Sequence, residues 1–351
     1  MNSRNRRVRL ARMLLRWIGR ILEPLLTRTS ITGLENVPLH ESPLIFAGNH
    51  ASTFDPVLML MHIPVQVRLV GPGDFKLLFP GNLLVNSLGV VLIHRGTADR
   101  ESIKKMSGIL KNGENLAIFA DGGTWEKRLD DVKPGVAYLS NTTGARIVPV
   151  AIGGTYQVWG KILRLRRPRL TLHFAPPMPV VEVIDRKNRS AALHTASLAL
   201  MDIIYQHLPA QEQARYDLHA RQQFSGRLDI VPDVLENKPV LDFSVLAELI
   251  SKPNLFSPLH RNLKLPLSPF LKHELFHAAF EFEAASDVLL NAFTNDLKDY
   301  LDYRLGMRKA QQALVELQEL KFISQQAGEL DLVMRFIPQT RVLDEPLPPN
   351  S

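Results

Sequence analysis

Apolar, strand-like runs alternate with helix-like stretches through the first two hundred residues, and this alternation constrains the fold most. Six short runs have the character of strands: residues 43–48, 65–71, 89–95, 115–120, 146–153 and 169–176. Helix-like stretches lie near residues 56–62, 76–87, 99–112, 134–144 and 190–208. The pattern predicts an α/β fold, a covered, largely parallel or mixed sheet of about six to seven strands with flanking helices. In such sheets, binding and catalytic sites form where loops leave the strand ends.

Length and composition exclude several classes of protein. The chain has 351 residues, which is enough for two domains, and 45% of them are hydrophobic, as in proteins that bury a core. It has no cysteine, so disulfides, thiol nucleophiles and cysteine-bound metals are excluded. No apolar run reaches the roughly 18 residues that predict a membrane-spanning helix.

The positive charge of the chain is concentrated at its N-terminus. Residues 1–20 contain seven arginines and no Asp, Glu or Lys, and the formal net charge of the whole chain is also +7. The rest of the chain is therefore neutral by count. Leu10, Leu14, Trp17, Ile18, Ile21 and Leu25 recur at helical spacing, and Arg9, Arg12, Arg16 and Arg20 recur on another face.

This pattern predicts a basic amphipathic helix over residues 1–26, lying in an anionic lipid interface. A surface helix docked on the core is the alternative. A signal peptide is disfavoured because Arg16 and Arg20 interrupt any apolar core. No nucleic-acid partner is expected, because groove-reading or stacking residues do not accompany the arginines.

The stretch FAGNHASTFDP, residues 46–56, places His50 and Asp55 just after the first predicted strand. Asp55 and Pro56 are residue types expected at a helix start, so Asp55 is predicted to be the N-cap. A carboxylate held near an imidazole also suits a general base, because it fixes the tautomer and stabilises the imidazolium. The spacing alone leaves both roles open.

Four ordered motifs, within about residues 8–205, give this stretch its context. NHASTFD (49–55), GVVLIHRG (89–96), IFADGGTW (118–125) and KPGVAYLSNTTGARIVPVAIGG (133–154) follow one another along the chain. Together they resemble the NHxxxxD and later signatures of the glycerolipid acyltransferase family, the 1-acylglycerol-3-phosphate acyltransferases. The resemblance implies an acyltransferase that moves a fatty acyl group onto a lysophospholipid or glycerol-phosphate hydroxyl in phospholipid biosynthesis or remodelling.

The family mechanism, carried onto this chain, makes His50 the general base and Asp55 its partner. The acceptor hydroxyl attacks an acyl thioester directly, without a covalent acyl-enzyme. The acceptor phosphate would be bound by Arg95, Asp121, Gly122, Gly123 and Thr124. The resemblance implies no metal and no resident cofactor; acyl-CoA or an acyl carrier protein thioester is the co-substrate.

The third motif departs from the family, in which it reads Phe-Pro-Glu-Gly-Thr-Arg. Ala120 and Asp121 replace the usual proline and glutamate, Gly123 is additional, and Trp125 stands near the usual arginine. One phosphate-binding cation is therefore missing from the pattern, with Lys127, Arg128 and Lys133 as replacements to consider. Lysophosphatidate is the default acceptor, and another lysolipid or an alcohol without that phosphate stays open.

The sequence also predicts the domain organisation and the location of the protein. The acyltransferase domain is predicted over residues 27–208, a connector over 209–240, a helical accessory domain over 241–343 and a disordered tail over 344–351. Two strand-like pieces within 321–336 predict a closing hairpin, with a winged-helix end as the alternative. The expected location is cytoplasmic, peripheral on the inner face of the membrane.

Two rival functions follow from other features. A non-catalytic lipid-binding or regulatory protein on the same fold would explain the altered third motif. A zinc hydrolase would use HELFH, residues 273–277, because H-E-x-x-H on a helix is a zinc-protease pattern. Its histidines are also explained as the polar face of an amphipathic helix.

Overall fold

The computed structural model describes residues 3–72, 88–93, 100–121, 132, 134–232, 243–252, 256, 290, 294, 305–325 and 332–342. These residues divide into two compact units, the first within residues 1–217 and the second within residues 218–351. Each unit is described by itself.

The first unit is built on a seven-stranded sheet. Its strands are β1 (Arg28–Thr32), β2 (Leu44–Gly48), β3 (Val67–Pro72), β4 (Val91–Ile93), β5 (Asn115–Phe119), β6 (Arg146–Gly153) and β7 (Arg169–Phe174). Their order is β1-β7-β6-β2-β5-β3-β4. Among these strands each neighbouring pair is parallel except β6–β7, which is antiparallel. The predicted mixed α/β sheet is confirmed.

Helices of the first unit are α1 (Ser3–Leu26), α2 (Asp55–His62), α3 (Arg100–Lys111), α4 (Gly135–Thr143), α5 (Val158–Leu163), α6 (Arg189–Gln206) and α7 (Ala210–Arg221), which runs on past residue 217. Five of them, α1, α2, α3, α4 and α6, match predicted helices, whereas α5 was not predicted. The predicted helix over 76–87 lies outside the described residues.

The core lies on both faces of the sheet, with β2 at the centre. All five residues of β2 are buried, and its side chains alternate between faces as a pleated strand requires. Leu44 and Phe46 pack with Leu58 and Met59 of α2, in a cluster that reaches β7. Ile45 and Ala47 pack on the opposite face, with residues of α3, α4 and α6. This two-sided burial explains why β2 is a continuous apolar run.

All six predicted strands are present, and their ends shift by a few residues at most. β1 was not predicted as a strand, because its sequence RTSIT carries no apolar run. Its residues alternate between exposed and half-buried positions, as suits a strand at the edge of the sheet. It is placed by pairing with β7 in parallel, from Arg28 opposite Arg169 to Thr32 opposite His173.

Helix α1 docks on the unit through its arginines. Arg12 is buried and donates to the carbonyl oxygens of Val67, at 2.7 Å, and Leu88, at 2.7 and 2.9 Å. Burial, and then the charge of Arg68, lower the pKa of Arg12 to about 10, so the guanidinium stays charged near neutral pH. Arg16 donates to the carbonyls of Leu60, Ile63 and Val65 at 2.8, 2.6 and 2.8 Å.

The Arg16 contacts fall at the C-terminal end of α2, where carbonyls lack partners within the helix. At the same end, Glu23 of α1 accepts from Nε2 of His62 at 2.8 Å, and both side chains are largely buried. The two helices approach so closely that a Cβ added at Gly19 would overlap Sδ of Met61. Helix α1 is therefore an integral part of the first unit.

The apolar face of α1 consequently points to solvent. Its exposed side chains are Leu10, Met13, Leu14, Trp17, Ile18, Ile21, Leu22, Leu25 and Leu26, with Trp17 68% exposed. The prediction that the arginines face an anionic lipid surface is wrong for Arg12 and Arg16, whereas Arg20 is exposed. Sequence periodicity separated the two faces but could not say which one docks. Across the described ranges, no helix combines the length and apolarity needed to cross a bilayer.

The second unit contains a long two-stranded sheet and parts of a helical region. Strands β8 (Gln222–Pro232) and β9 (Leu332–Val342) pair antiparallel along their whole length. Helices α8 (Ser244–Ser251) and α9 (Met307–Gln325) belong to the same unit. Buried Glu316 of α9 accepts from the N–H of Leu246 at 2.7 Å, which satisfies a donor in the first turn of α8.

This pairing corrects the expected end of the chain. The first of the two strand-like pieces, within 321–325, is helical, so it does not form a hairpin with the second. The partner of β9 is β8, which lies within the predicted connector 209–240. A pairing across such a sequence distance leaves no local signal. HELFH 273–277 and the tail 344–351 lie outside the described residues.

We predict that Arg16→Gln lowers the stability of the first unit, because three carbonyls lose a charged donor. Loss of charged hydrogen bonds costs about 1.5–3 kcal/mol, which corresponds to a fall in Tm of roughly 3–10 °C. Differential scanning calorimetry measures this. Arg20→Gln is the matched control, since it removes an arginine one turn away whose side chain is exposed. Equal Tm values for the two variants would contradict the docking role of Arg16.

Candidate active site

The predicted catalytic loop lies at the carboxyl end of the central strands. β2 and β5 are parallel neighbours, and Gly48 at the end of β2 is opposite Phe119 at the end of β5. The N–H of Ala120 continues the ladder to the carbonyl of Gly48 at 2.9 Å. Loop residues that follow both strands are therefore brought to one edge of the sheet, where α/β proteins place their sites.

Asn49 fixes the first residue of the loop. Its side chain is buried, and its Nδ2 donates to the carbonyl of Ile152 at 2.9 Å while its Oδ1 accepts from the N–H of Ile152 at 2.8 Å. The amide thus pairs with β6 as another strand residue would. Sequence reasoning gave Asn49 no role, although its place between a buried strand and His50 was the available signal.

His50 is held from two sides by residues of the neighbouring strand and its loop. Its backbone N–H donates to Oδ2 of Asp121 at 2.7 Å. Its ring stacks on Phe119, with centroids 4.0 Å apart and planes at 16°. The side chain is 15% exposed, so the imidazole is oriented by packing and still reaches solvent.

Asp55 completes the loop with a fully buried carboxylate. Its Oδ2 accepts from Nδ1 of His50 at 2.9 Å and from the backbone N–H groups of Ala51 and Ser52 at 2.7 and 2.8 Å. The prediction that Asp55 is the N-cap is wrong. Phe54 holds that position without a side-chain bond, and Asp55 is the first helical residue. Its carboxylate turns back onto the loop, still close to the positive end of the α2 dipole.

These contacts determine the tautomer of His50. An ionised carboxylate only accepts hydrogen bonds, so Nδ1 carries the proton and Nε2 carries the lone pair. Nε2 has no hydrogen-bond partner among the described residues. A partly exposed imidazole with a free Nε2, backed by a buried carboxylate, can take a proton from a bound hydroxyl group.

Tyr216 of α7 reaches the same place from the region where the sequence resemblance had ended. Its hydroxyl interacts with the side-chain amide of Asn49 and with the charge of Asp121. Burial, and then the charge of Asp121, raise the pKa of Tyr216 well above its usual value, so it stays a neutral phenol. Nothing in the local sequence pointed to Tyr216, because its position depends on how α7 packs.

Arg215 is beside Tyr216 and brings a positive charge to the edge of the site. Its guanidinium lies 4.5 Å from the ring centroid of Tyr156 and pairs with Glu212 at 3.0 Å. Glu212 also accepts from the N–H of Gly154 at 3.1 Å, which ties α7 to the end of β6. The predicted connector therefore begins with a helix that supports the site.

The structure brings together three of the predicted site residues: His50, Asp55 and Asp121. Asp121 is buried and positions the His50 backbone, while its predicted part in acceptor binding stays a prediction. Arg95, Gly122, Gly123 and Thr124 lie outside the described residues, as do the replacement cations Lys127, Arg128 and Lys133. Within the described part of the chain, no three His, Cys, Asp or Glu residues are grouped so that they could hold a metal ion.

Comparison with known proteins shows which family the first unit is similar to. Residues 28–153 match the model of the family described as Acyltransferase. This segment runs from β1 to the end of β6 and includes the His50–Asp55 pair. The predicted resemblance to an acyltransferase family is thereby confirmed over residues 28–153.

Individual relatives agree with the family match. A 139-residue stretch is 25% identical to the 1-acyl-sn-glycerol-3-phosphate acyltransferase BAT2, chloroplastic, of Brassica napus, and to LPAT1, chloroplastic, of Arabidopsis thaliana, which bears the same enzyme name. That stretch covers 39% of this chain but only 39% and 38% of the relatives' own lengths. The crystal structure of the 1-acyl-sn-glycerophosphate (LPA) acyltransferase PlsC from Thermotoga maritima is 18% identical. The superposition covers 58% of this chain and 83% of PlsC, with a TM-score of 0.42.

We predict that Asn49→Ala destabilises the first unit, because the N–H and C=O of Ile152 are left unpaired in a buried position. Buried groups without partners cost about 1–3 kcal/mol each. Chemical denaturation measures the change. Asn112→Ala is the control, since the Asn112 side chain is exposed and makes no hydrogen bond to the described residues. A variant as stable as the control would show that the amide pairing is dispensable.

Proposed function

We propose that this chain is a glycerolipid acyltransferase, which moves a fatty acyl group from a thioester to the hydroxyl of a lysophosphatidate-type acceptor. The observation that carries the proposal is the pairing of His50 Nδ1 with the buried carboxylate of Asp55 at 2.9 Å, while Nε2 has no partner among the described residues. The pair lies within the segment that matches the Acyltransferase family. The two curated plant relatives carry the name of this activity.

The chemistry needs one general base and no covalent acyl-enzyme. Nε2 of His50 takes the proton of the acceptor hydroxyl as its oxygen attacks the thioester carbonyl carbon. The tetrahedral intermediate expels the thiolate as the carbon–sulfur bond breaks, and the imidazolium returns the proton to the sulfur. The Asp55 carboxylate stabilises the imidazolium between these steps, because it lies 2.9 Å from Nδ1 and is shielded from water.

Binding of the acceptor phosphate is proposed as the family resemblance implies it. Arg95, Gly122, Gly123 and Thr124 are proposed to bind its phosphate, because guanidinium and backbone N–H groups suit phosphate oxygens. Asp121 leads into this loop and already orients His50. The donor is acyl-CoA or an acyl carrier protein thioester, with no resident cofactor.

A non-catalytic lipid-binding protein on the same fold is the rival proposal. It would not require the precise arrangement around His50, where one carboxylate oxygen accepts from the imidazole and from two backbone N–H groups. A buried carboxylate is costly unless it is paired, so this arrangement argues for a chemical role. The zinc hydrolase alternative depends on HELFH 273–277 and draws no support from the described residues.

We predict that His50→Ala lowers acyl transfer by about 10²–10⁴-fold and that Asp55→Asn lowers it at least about tenfold. Asparagine can still accept from the N–H groups of Ala51 and Ser52. The free energy of unfolding of the Asp55→Asn variant should therefore lie within about 1 kcal/mol of the wild-type value. Turnover with a panel of lysolipid acceptors and both thioester types is the measurement. His40→Ala, which changes an exposed histidine, is the control. Normal turnover in His50→Ala would overturn the mechanism.

We further propose that α1 attaches the chain to a membrane through its outward apolar face. Nine exposed apolar side chains on one helix would be costly in water and favourable in the interfacial region of a bilayer. Trp17 suits the headgroup level, where its ring is apolar and its N–H finds partners. A peripheral position on the inner, cytoplasmic face of an anionic membrane is part of this proposal.

We predict that the double variant Leu14→Gln/Trp17→Gln lowers affinity for phosphatidylglycerol-containing vesicles at least about tenfold, since each buried side chain of this size contributes about 1.5–3 kcal/mol. The fold should persist, because Leu14 and Trp17 are 50% and 68% exposed. Vesicle sedimentation measures binding, and Leu39→Gln, at an exposed leucine outside α1, is the control. Unchanged sedimentation of the double variant would exclude α1 as the anchor.

A further inference from the structure

A second exposed apolar surface lies on the segment of residues 156–167, which contains α5 and the turn that follows it. Leu163 and Leu165 are 82% and 80% exposed, more than any leucine of α1, and Trp159 is 46% exposed. Val158 and Ile162 are buried, so the helix is fixed in place by one face and presents the other. The two leucines are therefore held outward by a packed element.

The same segment is strongly basic. Lys161, Arg164, Arg166 and Arg167 lie within it, all exposed, and it contains no acidic residue. Because the chain beyond residue 20 is neutral by count, the acidic residues that balance this local charge lie outside the segment. Exposed leucines between arginines are the composition of a surface that meets anionic headgroups and the acyl chains beneath them.

The backbone conformation of the turn after α5 indicates that the exposure of Leu165 has a functional role. Leu165 has φ of 52° and Arg167 has φ of 43°, both in the left-handed region that leucine and arginine rarely occupy. Such conformations are costly and persist where the surrounding structure enforces them, often at functional sites. Here the turn keeps a large apolar side chain in water, which neither packing nor solvation favours.

Trp159 joins this surface to the catalytic loop. Its Nε1 donates to Oγ1 of Thr53 at 2.8 Å, and its ring meets Phe54 edge-on, with centroids 5.4 Å apart. Thr53 and Phe54 lie between His50 and Asp55 in the sequence. The side chain of Arg167 also donates to the carbonyl of Pro24, so the segment adjoins the C-terminal end of α1.

We propose that residues 156–167 form a second membrane contact, in which Leu163 and Leu165 insert into an anionic bilayer while the basic side chains bind lipid phosphates. Trp159 then holds the loop of His50 and Asp55 at the lipid surface, where a membrane-resident acceptor is presented. Only this last step rests on the proposed acyl transfer. Vesicle binding by the segment is independent of it.

A lipid occupant is favoured over an acidic protein, because two leucines about four-fifths exposed contribute little to a purely electrostatic contact. An acidic carrier protein would be attracted by Lys161 and the arginines. Such a contact would not require Leu163 and Leu165 to be buried. The two occupants are distinguished by whether lipid vesicles or the carrier protein changes the environment of a label at position 163.

The first test compares the full chain with its Leu163→Gln/Leu165→Gln variant on vesicles of phosphatidylcholine with phosphatidylglycerol. Losing two inserted leucines is expected to lower affinity at least about tenfold, from the usual free energy of burying such side chains. Leu39→Gln is the matched control, since Leu39 is also exposed, at 55%. Wild-type affinity in the double variant would overturn the proposal.

The second test does not depend on a variant that binds more weakly. Because the chain has no cysteine, one introduced cysteine gives a single labelling site. Leu163→Cys and Leu39→Cys each create one labelling site for an environment-sensitive fluorophore. Anionic vesicles are expected to shift the emission at position 163 to the blue and to leave position 39 unchanged. No shift at 163 with vesicles, or a shift only with acyl carrier protein, would overturn the lipid contact.

A third measurement separates this proposal from the proposed function. Turnover of a short-chain, water-soluble acceptor should be unchanged, within about twofold, in Leu163→Gln/Leu165→Gln, because both side chains are largely exposed to solvent. Turnover of a vesicle-resident acceptor should fall with the vesicle affinity. Absence of any turnover in the wild type would refute acyl transfer alone, whereas equal losses on both acceptors would refute the membrane role of the segment.

Discussion

The structure of the site depends on the burial of one carboxylate. Asp55 is removed from water, a position that is costly for a charge unless donors surround it. Those donors are the imidazole of His50 and the N–H groups of Ala51 and Ser52, so the loop is wrapped around the oxygen that it must satisfy. The same constraint places the His50 proton on Nδ1 and leaves the lone pair on Nε2, the atom that the proposed mechanism uses as the base. In that mechanism, the interaction that positions the imidazole is also the one that activates it.

Long-range contacts hold this loop to the sheet. Asn49 pairs with Ile152 of β6, while Asp121 and Phe119, from the end of β5, bind the backbone and the ring of His50. Tyr216 then joins Asn49 and Asp121 from α7, outside the segment that matches the family. Several elements distant in sequence therefore constrain a short loop, which gives the rigid geometry that proton transfer needs.

Two surfaces of the first unit expose apolar side chains, and both are fixed by contacts on their opposite face. Arg12 and Arg16 bind carbonyls of the unit and so turn the leucines and Trp17 of α1 outward. In α5 the buried Val158 and Ile162 have the same effect on Leu163. Arg167 donates to the carbonyl of Pro24 in α1, and Trp159 connects the segment of residues 156–167 to the loop of His50 and Asp55.

The sequence by itself determined the α/β class, the central strands and the pair of His50 and Asp55, because buried strands and an ordered set of motifs are local patterns. It could not determine which face of α1 docks, since amphipathic periodicity is the same for either orientation. It also missed β1, the pairing of β8 with β9, and the roles of Asn49 and Tyr216, all of which depend on partners far along the chain. The direction of the Asp55 carboxylate was also decided by tertiary structure. Aspartate suits a helix cap, but this carboxylate accepts from Ala51 and Ser52, in a loop that contacts with β5 and β6 hold in place.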